Sequence, residues 1–183
     1  MNAAGNPVAS VTRDTTVAQA PLPRWLPAYV GVGSNLEDPT RQVTRALDAL
    51  AKLSGSRLLV RSPLYRTRPF GTVVQPDFVN AVAGLLTQRT PEELLADLRG
   101  LERELGRTAP RERWGPRVVD LDLLAVGRET RASELLTLPH PGIHERDFVL
   151  YPLADVAPTL EIIGLGRVSE LRACVANRGL ERL

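Results

Sequence analysis

The sequence predicts one α+β domain, an antiparallel sheet with two helices packed on one of its faces. Strand-like and helix-like segments follow the order β-α-β-β-α-β, and both helices carry clear start signals. The length of 183 residues suits a single domain with a sizeable core. Hydrophobic residues make up 43% and charged residues 24%, which is the ordinary balance of a soluble globular domain.

The first half of the domain is predicted as strand, helix and strand. Residues 28–32 form a short apolar strand, and Gly33 is expected to end it as a strand-to-helix turn. Asp38 then caps a helix whose first residue is a proline. The segment "RLLVRSPLYR" follows as a second strand, in which Pro63 indicates a sheet edge or a bulge.

The second half of the domain repeats strand, helix and strand. A third strand covers residues 78–86, and Thr90 with Glu93 forms a capping box for the second helix. The fourth strand covers residues 118–126, and a short helix is expected near residues 146–154. The first six elements give the split βαβ order of a ferredoxin-like fold, which leaves the second sheet face for later chain or for a ligand.

Charge and cysteine content limit the function classes. The formal net charge of +2 is too small to indicate a nucleic-acid binder, and no apolar run is long enough for a membrane span. Cys174 is the single cysteine, so an internal disulfide is excluded and a reducing, cytoplasmic location is expected. Residues 1–27 lack apolar periodicity and are predicted to be a disordered tail, which leaves residues 28–183 as the domain.

Polar side chains lie at one end of the last two long strands. Asp120 and Asp122 point to the same face, because side chains alternate along a strand. Val126 is expected on that face too, further along the strand. On the third strand, Asn80 offers donors and an acceptor to a heterocycle edge, and Phe78 could stack beside it. We therefore expect a pocket on the face opposite the two helices.

The acidic pair needs a positive partner, since like charges on an apolar strand are costly. Asp-x-Asp at a strand end suits Mg²⁺, which prefers oxygen ligands and keeps waters and substrate phosphates in its shell. The alternative is a solvent-facing pair bridged to arginine, and a bare Asp-x-Asp favours that alternative.

The loop before the fourth strand is rich in arginine. It contains Arg107, Arg111, Arg113, Trp114 and Arg117. Arginine binds phosphate oxygens bidentately, and tryptophan stacks on flat rings. Metal carboxylates beside a phosphate-binding loop are the parts that phosphoryl transfer needs. The alternative for these arginines is a solvated surface loop.

Five motifs resemble those of a folate-pathway enzyme family. "YVGVGSNLEDP", "SPLYRTRPFGTVVQPDFVNAV", "LERELGR", "ERWGPRVVDLDLL" and "LTLPHPGIHERDFVLYPL" have the order and spacing of the 6-hydroxymethyl-7,8-dihydropterin pyrophosphokinases. The resemblance covers residues 28–158 and implies a ferredoxin-like fold. It also implies transfer of pyrophosphate from ATP to the pterin hydroxymethyl group, with release of AMP. Two Mg²⁺ ions, held by Asp120 and Asp122, are implied with ATP.

The resemblance further implies the binding residues, which fall into three groups. Pterin contacts correspond to Thr67, Arg68, Phe70, Phe78, Asn80, Trp114 and Phe148. ATP contacts correspond to Glu102, Arg107, Arg111, Trp114, Arg117, Leu123, Thr137, His140 and Arg146. Catalytic roles correspond to Arg107, Arg117, Asp120 and Asp122. The expected partners are these two small molecules, with no nucleic acid and no membrane, and the expected state is a monomer.

The sequence departs from the family pattern in four places. Ala109 and Leu135 stand where family members have arginine, and Arg111 is a candidate substitute for the first of these. Arg68 replaces a proline and Phe78 a tyrosine, which loses a hydroxyl group. These changes affect the details of nucleotide and pterin binding, while the implied reaction class stays the same.

Two other functions remain open from the residues alone. One is a non-catalytic ferredoxin-like module that binds RNA or a small ligand. Such a sheet would be expected to expose stacking aromatic residues, whereas aromatic residues make up only 4% of this chain. The other is a different metal-dependent nucleotidyl or glycosyl transferase that uses Asp-x-Asp.

Overall fold

The computed structural model describes residues 24–69, 75–107 and 115–183, which contain ten strands and four α-helices. The strands are β1 (Leu26–Ser34), β2 (Ser56–Arg61), β3 (Tyr65–Thr67), β4 (Phe78–Thr87), β5 (Asp120–Val126), β6 (Arg131–Ala132), β7 (Thr137–Leu138), β8 (Glu161–Ile162), β9 (Gly166–Arg167) and β10 (Glu181–Arg182). The helices are α1 (Pro39–Leu50), α2 (Pro91–Glu104), α3 (Asp147–Val156) and α4 (Val168–Cys174), and a 3₁₀ turn covers Ile143–Glu145. No helix in these ranges is long and apolar enough to cross a membrane.

The main sheet is antiparallel and confirms the predicted ferredoxin-like core. Its strands lie in the order β10-β3-β4-β1-β5, and β2 also pairs with β4. The central strand β1 pairs with β4 on one side and with β5 on the other. Through this register Gly33 lies directly between Asn80 and Asp120. The sheet thus brings together polar residues that are 40 positions apart in the chain.

Strand β1 extends beyond its predicted limits at both ends. It begins at Leu26, within the segment predicted as a tail, of which residues 1–23 lie outside the described residues. At its other end it runs through Gly33 to Ser34. The prediction of a strand-to-helix turn at Gly33 is wrong, because ladder pairing on both sides keeps this residue extended.

The predicted second strand is divided in two at Pro63. Strands β2 and β3 lie on either side of the break, and both pair with β4. Ser62 closes the gap: its N–H donates to the carbonyl of Val82 at 2.9 Å, and its hydroxyl accepts the N–H of Val82 at 3.0 Å. The Ser62 hydroxyl thereby replaces one ladder bond where the chain turns away from the sheet.

Helices α1 and α2 begin as their capping signals predict. Asp38 accepts the N–H of Arg41 at 3.1 Å, while Thr90 and Glu93 form both hydrogen bonds of a capping box. Both helices pack on one sheet face, and the core there includes Val30, Val32, Val43, Leu47, Leu50, Ala83, Leu85, Leu94 and Leu98. These contacts leave the opposite sheet face for α3 and the pocket.

Helix α3 covers one end of the second sheet face. Its predicted position is confirmed, and it accommodates Pro152 in its interior. Leu150 and Leu153 pack there with Val82 and Leu124 of the sheet. The hairpins β6-β7 and β8-β9, helix α4 and strand β10 all lie after residue 127, where the sequence pattern predicts no element other than the helix that became α3.

Strand β5 contains a bulge at Leu124. Val30 pairs with Leu123 and Tyr29 with Ala125, so Leu124 is an extra residue in the ladder. Leu124 packs on the α3 side, but Val126 packs on the side of α1 and α2. The prediction that Val126 shares a face with the acidic pair is therefore wrong, because the bulge reverses the alternation after Leu124.

A hydrogen bond between β3 and α3 provides a test of this packing. The Tyr65 hydroxyl donates to Oδ2 of Asp155 at 2.5 Å, and burial followed by this bond raises the pKa of Tyr65 to about 12. Replacing Tyr65 with Phe is expected to lower the free energy of unfolding at pH 7 by about 2 kcal/mol, measured with urea. Wild-type stability at pH 7 would contradict the prediction.

The same bond predicts a difference at high pH. Because the folded pKa is raised, the stabilisation from Tyr65 is complete below about pH 10 and is lost as pH rises toward 12. The difference between the wild type and Tyr65→Phe should therefore shrink across this range. Tyr151→Phe is the matched control, since it keeps the ring that Arg172 covers at 4.5 Å.

Candidate active site

A cavity of about 700 Å³ opens over the ends of β1, β4 and β5, and α2 and α3 border it. It brings together many of the residues that the family resemblance assigns to the site. The described residues of this set that line it are Thr67, Arg68, Phe78, Asn80, Glu102, Arg107, Arg117, Asp120, Asp122, His140, Arg146 and Phe148. The predicted pocket at the polar end of the sheet is thus present.

Two of the assigned residues do not line this cavity. Leu123 packs in the core on the side of α1 and α2, and Thr137 is exposed on β7. The predictions for Phe70, Arg111 and Trp114 lie outside the described residues.

Glycines of β1 form the floor of the cavity. A Cβ atom at Gly33 would lie 2.9 Å from Oδ1 of Asn80, which is too close for an unstrained contact. At Gly31 the nearest atom, of Leu124, would be 3.6 Å away, an ordinary van der Waals distance. The space that Asn80 uses therefore depends on glycine at position 33.

The Asn80 amide is held by a neighbouring strand. Its Nδ2 donates to the hydroxyl of Thr67 at 2.7 Å, and both side chains are buried. This bond points Nδ2 toward β3 and leaves Oδ1 above Gly33. The amide is thus oriented before any ligand binds.

The acidic pair meets arginines of the chain itself. Arg107 Nη1 donates to Oδ1 of Asp120 at 2.8 Å, and Arg117 Nη1 lies 3.0 Å from Oδ2 of the same residue. Asp122 has a more distant partner, since Arg146 Nη1 lies 3.9 Å from its Oδ2. The two carboxylates consequently differ: Asp120 is bridged on both oxygens and Asp122 is only loosely paired.

Glu102 anchors this arrangement from α2. It is 8% exposed, and its Oε1 accepts the N–H of Leu121 at 2.8 Å and a bond from Arg107. Burial raises the pKa of the Glu102 carboxyl, while these two donors act in the opposite direction. Glu102 therefore ties α2 to the start of β5 and holds the guanidinium that reaches Asp120.

The environment of Asp122 disfavours its charged form. Removal from water within the cavity, followed by the negative charge of Asp120, raises the pKa of Asp122 to about 7. The arginines nearby act in the opposite direction but do not cancel this effect. Asp122 is thus a carboxylate that would gain from an additional positive charge.

His140 is held as a neutral donor at the edge of the cavity. Burial, followed by the charge of Arg146, lowers the pKa of His140 to about 4. Its Nδ1 accepts the N–H of Gly142 at 3.1 Å, so the ring proton is on Nε2. Its backbone N–H donates to the carbonyl of Leu124 at 2.9 Å, which fixes the loop to β5.

Several residues of the site were not predicted from the sequence. Arg99 and Arg103 of α2 line the cavity together with Glu102. Their spacing places them on the same helix face as Glu102, and this was the signal in the sequence that could have identified them. Asn35, which is 1% exposed, accepts the N–H of Arg117 at 2.8 Å and donates to Gln75 Oε1 at 3.0 Å. Asn35 therefore joins two loops that border the cavity.

Comparison with known proteins assigns the family. Residues 29–158 match the family model described as 7,8-dihydro-6-hydroxymethylpterin-pyrophosphokinase (HPPK). The 2-amino-4-hydroxy-6-hydroxymethyldihydropteridine pyrophosphokinase of Pseudomonas aeruginosa is 45% identical over 155 residues, which cover 85% of this chain and 95% of that protein. The protein of the same name from Bacillus subtilis is 40% identical over 135 residues, which cover 73% of this chain and 80% of that protein.

The fold is also shared with a solved structure. A Plasmodium falciparum HPPK-DHPS crystal structure with pteroate matches 82% of this chain with a TM-score of 0.66 and 13% sequence identity, and the match spans 42% of that longer chain. At this identity the likeness shows the fold alone. The family model and the bacterial relatives cover most of the sequence, so the chain belongs to the 7,8-dihydro-6-hydroxymethylpterin-pyrophosphokinase family.

Proposed function

We infer that the cavity carries out the reaction of this family, pyrophosphoryl transfer from ATP to the hydroxymethyl group of 6-hydroxymethyl-7,8-dihydropterin in folate biosynthesis, with release of AMP. One observation supports it above all others. Asp120 and Asp122 face the guanidinium groups of Arg107, Arg117 and Arg146 in the same cavity. The RNA-binding module and the other transferases are set aside, since the named relatives are pyrophosphokinases.

The pterin is proposed to bind at the end of the cavity near β3 and β4. Asn80 presents an oriented amide there, and an amide can pair with the edge of a heterocycle. Phe78 and Phe148 line the same cavity and offer ring faces for stacking. Arg68 and Thr67 complete this end.

We propose that Mg²⁺ binds at Asp120 and Asp122, as two ions that accompany ATP. The two carboxylates fit such a group: both are hard oxygen donors, and the unfavourable charge of Asp122 would be relieved there. No cluster of three or more His, Cys, Asp or Glu that could hold a metal occurs within residues 24–69, 75–107 and 115–183. When bound, Mg²⁺ would supply stabilisation of negative charge on the phosphate oxygens.

The arginines are proposed to bind the transferring group. Arg107 and Arg117 hold planar forks beside Asp120, and this geometry matches phosphate oxygens. The neutral His140 can donate from Nε2 to a further oxygen of the nucleotide. We assign no general base, because a loose transition state is stabilised chiefly by positioning and charge. A cytoplasmic location and a monomeric state remain predictions.

Product analysis tests the proposed reaction. The protein is incubated with ATP, Mg²⁺ and 6-hydroxymethyl-7,8-dihydropterin, and nucleotides are separated by chromatography. AMP and pyrophosphorylated pterin are expected in equal amounts. Formation of ADP, or of no nucleotide product, would overturn the proposal.

Asp122→Asn should lower activity and raise stability. The loss of one carboxylate is expected to lower kcat at least about 100-fold, because charge stabilisation at the phosphates is reduced. In metal-free buffer the variant should resist urea better than the wild type at pH 8. Asp48→Asn, at an exposed carboxylate 3.3 Å from Arg61, is the control and should change neither property.

The stability gain should depend on pH with a definite sign. The pKa of Asp122 is raised to about 7 in the folded protein, so the folded state is favoured while Asp122 is protonated. Its contribution to the free energy of unfolding is therefore complete below the ordinary pKa of an aspartate and is lost as pH rises through 7. The advantage of Asp122→Asn should therefore be larger at pH 8 than at pH 5. Equal urea midpoints at pH 8 would show that Asp122 carries no such penalty.

Gly33→Ala tests the floor of the pterin end. The new Cβ would displace Oδ1 of Asn80, so the KM for the pterin should rise about tenfold, the equivalent of one weakened hydrogen bond. Gly31→Ala is the matched control in the same strand and should keep a KM near that of the wild type. A similar KM for both variants would remove the steric role of position 33.

A further inference from the structure

The last residues of the chain form a strap along the pterin end of the cavity. Residues 177–183, here called the C-terminal strap, end in β10, which pairs Glu181 with Arg66 and Arg182 with Tyr65. The N–H of Leu183 also donates to the carbonyl of Leu64 at 2.9 Å. The strap is therefore bonded to β3, the strand whose end carries Thr67.

The other end of the strap is fixed to the start of α3 through Asp147. The N–H of Arg178 donates to Oδ2 of Asp147 at 2.8 Å, and the N–H of Phe148 donates to Oδ1 at 2.9 Å. Asp147 is only 5% exposed. A buried carboxylate that accepts one backbone donor on each oxygen is strongly oriented. Its chain neighbours, Arg146 and Phe148, both line the cavity.

A tight turn gives the strap a defined shape between these two anchors. Oδ1 of Asn177 accepts the N–H groups of Gly179 at 2.9 Å and Leu180 at 2.6 Å. Gly179 has a φ of +91°, which favours glycine, and a Cβ there would lie 3.7 Å from Nε of Arg68. Leu180 is 8% exposed. The turn thus passes beside a residue that lines the cavity.

We propose that the C-terminal strap is a positioning device for the pterin end of the site, and that Asp147 is the positioning residue that fixes it. The strap bonds to both walls of this end: β3, which ends in Thr67 next to Arg68, on one side and the start of α3 with Phe148 on the other. Releasing the Arg178 anchor loosens the start of α3 from the strap, whereas the bond from Tyr65 to Asp155 still joins β3 to the far end of α3. The proposal rests on the proposed function, because it takes the pterin as the ligand of this end.

A pair of substitutions at one position isolates the anchor. Arg178→Ala keeps the backbone N–H that Asp147 binds, whereas Arg178→Pro removes it; comparing the two cancels any contribution of the arginine side chain. We expect the KM for the pterin to be about tenfold higher in Arg178→Pro than in Arg178→Ala. The KM for ATP and kcat should differ by less than about twofold.

Asp147→Asn is the second variant and changes the other partner of the same bond. An amide offers one acceptor oxygen where the carboxylate offers two, so one of the two bonds is lost with little change in size. The same selective rise in the pterin KM is expected. Hydrogen exchange of the Leu183 amide should also be faster in both Arg178→Pro and Asp147→Asn.

Three outcomes are distinguishable. A selective rise in the pterin KM with faster exchange supports the strap. Equal KM values for Arg178→Pro and Arg178→Ala, or equal losses for pterin and ATP, overturn it. A wild-type chain that releases no AMP contradicts the proposed function instead, and the strap is then supported or overturned by the exchange of Leu183 alone.

Discussion

The ion pairs around Asp120 are the constraint on which the site depends. The edge strand β5 carries two carboxylates on one face, and Arg107 and Arg117 contact both oxygens of the first, Asp120. Each arginine is in turn held by a residue from elsewhere: Glu102 of α2 binds Arg107, and Asn35 binds the backbone of Arg117. The ion pairs of Asp120 thereby connect helix α2, the start of β5 and the two loops that contain Asn35 and Arg117.

Asp122 is the carboxylate that this arrangement destabilises. Within the described residues its nearest cation is Arg146, 3.9 Å away, and partial removal from water beside Asp120 disfavours its charge. Such a group is unfavourable for folding and useful for binding a cation, which is the common compromise at active sites. Gly33 shows a similar compromise between stability and binding. It contributes no side chain to packing, and the amide of Asn80 occupies the space that a side chain would fill.

Local signals predicted much of the fold, and long-range pairing decided the rest. The caps at Asp38 and Thr90 and the alternation that puts Asp120 beside Asp122 are properties of short segments, so they are readable in the sequence. Gly33 beside Ser-Asn has the local chemistry of a turn, but two neighbouring strands keep it extended. Family motifs identified most cavity residues, whereas Asn35 binds Gln75 and Arg117, 40 and 82 positions away, which no local pattern reveals. The segment after residue 159 consists of elements too short to show periodicity.

The bulge at Leu124 divides β5 into two parts, and the side-chain alternation between the two sheet faces is reversed from one part to the other. Before it, even-numbered side chains face the cavity; after it, Val126 belongs to the core beneath the other face. A chain shortened by one residue here would have to turn either the carboxylates into the apolar core or Val126 toward the cavity. Moving β5 into another sheet would therefore require moving the bulge together with the two aspartates.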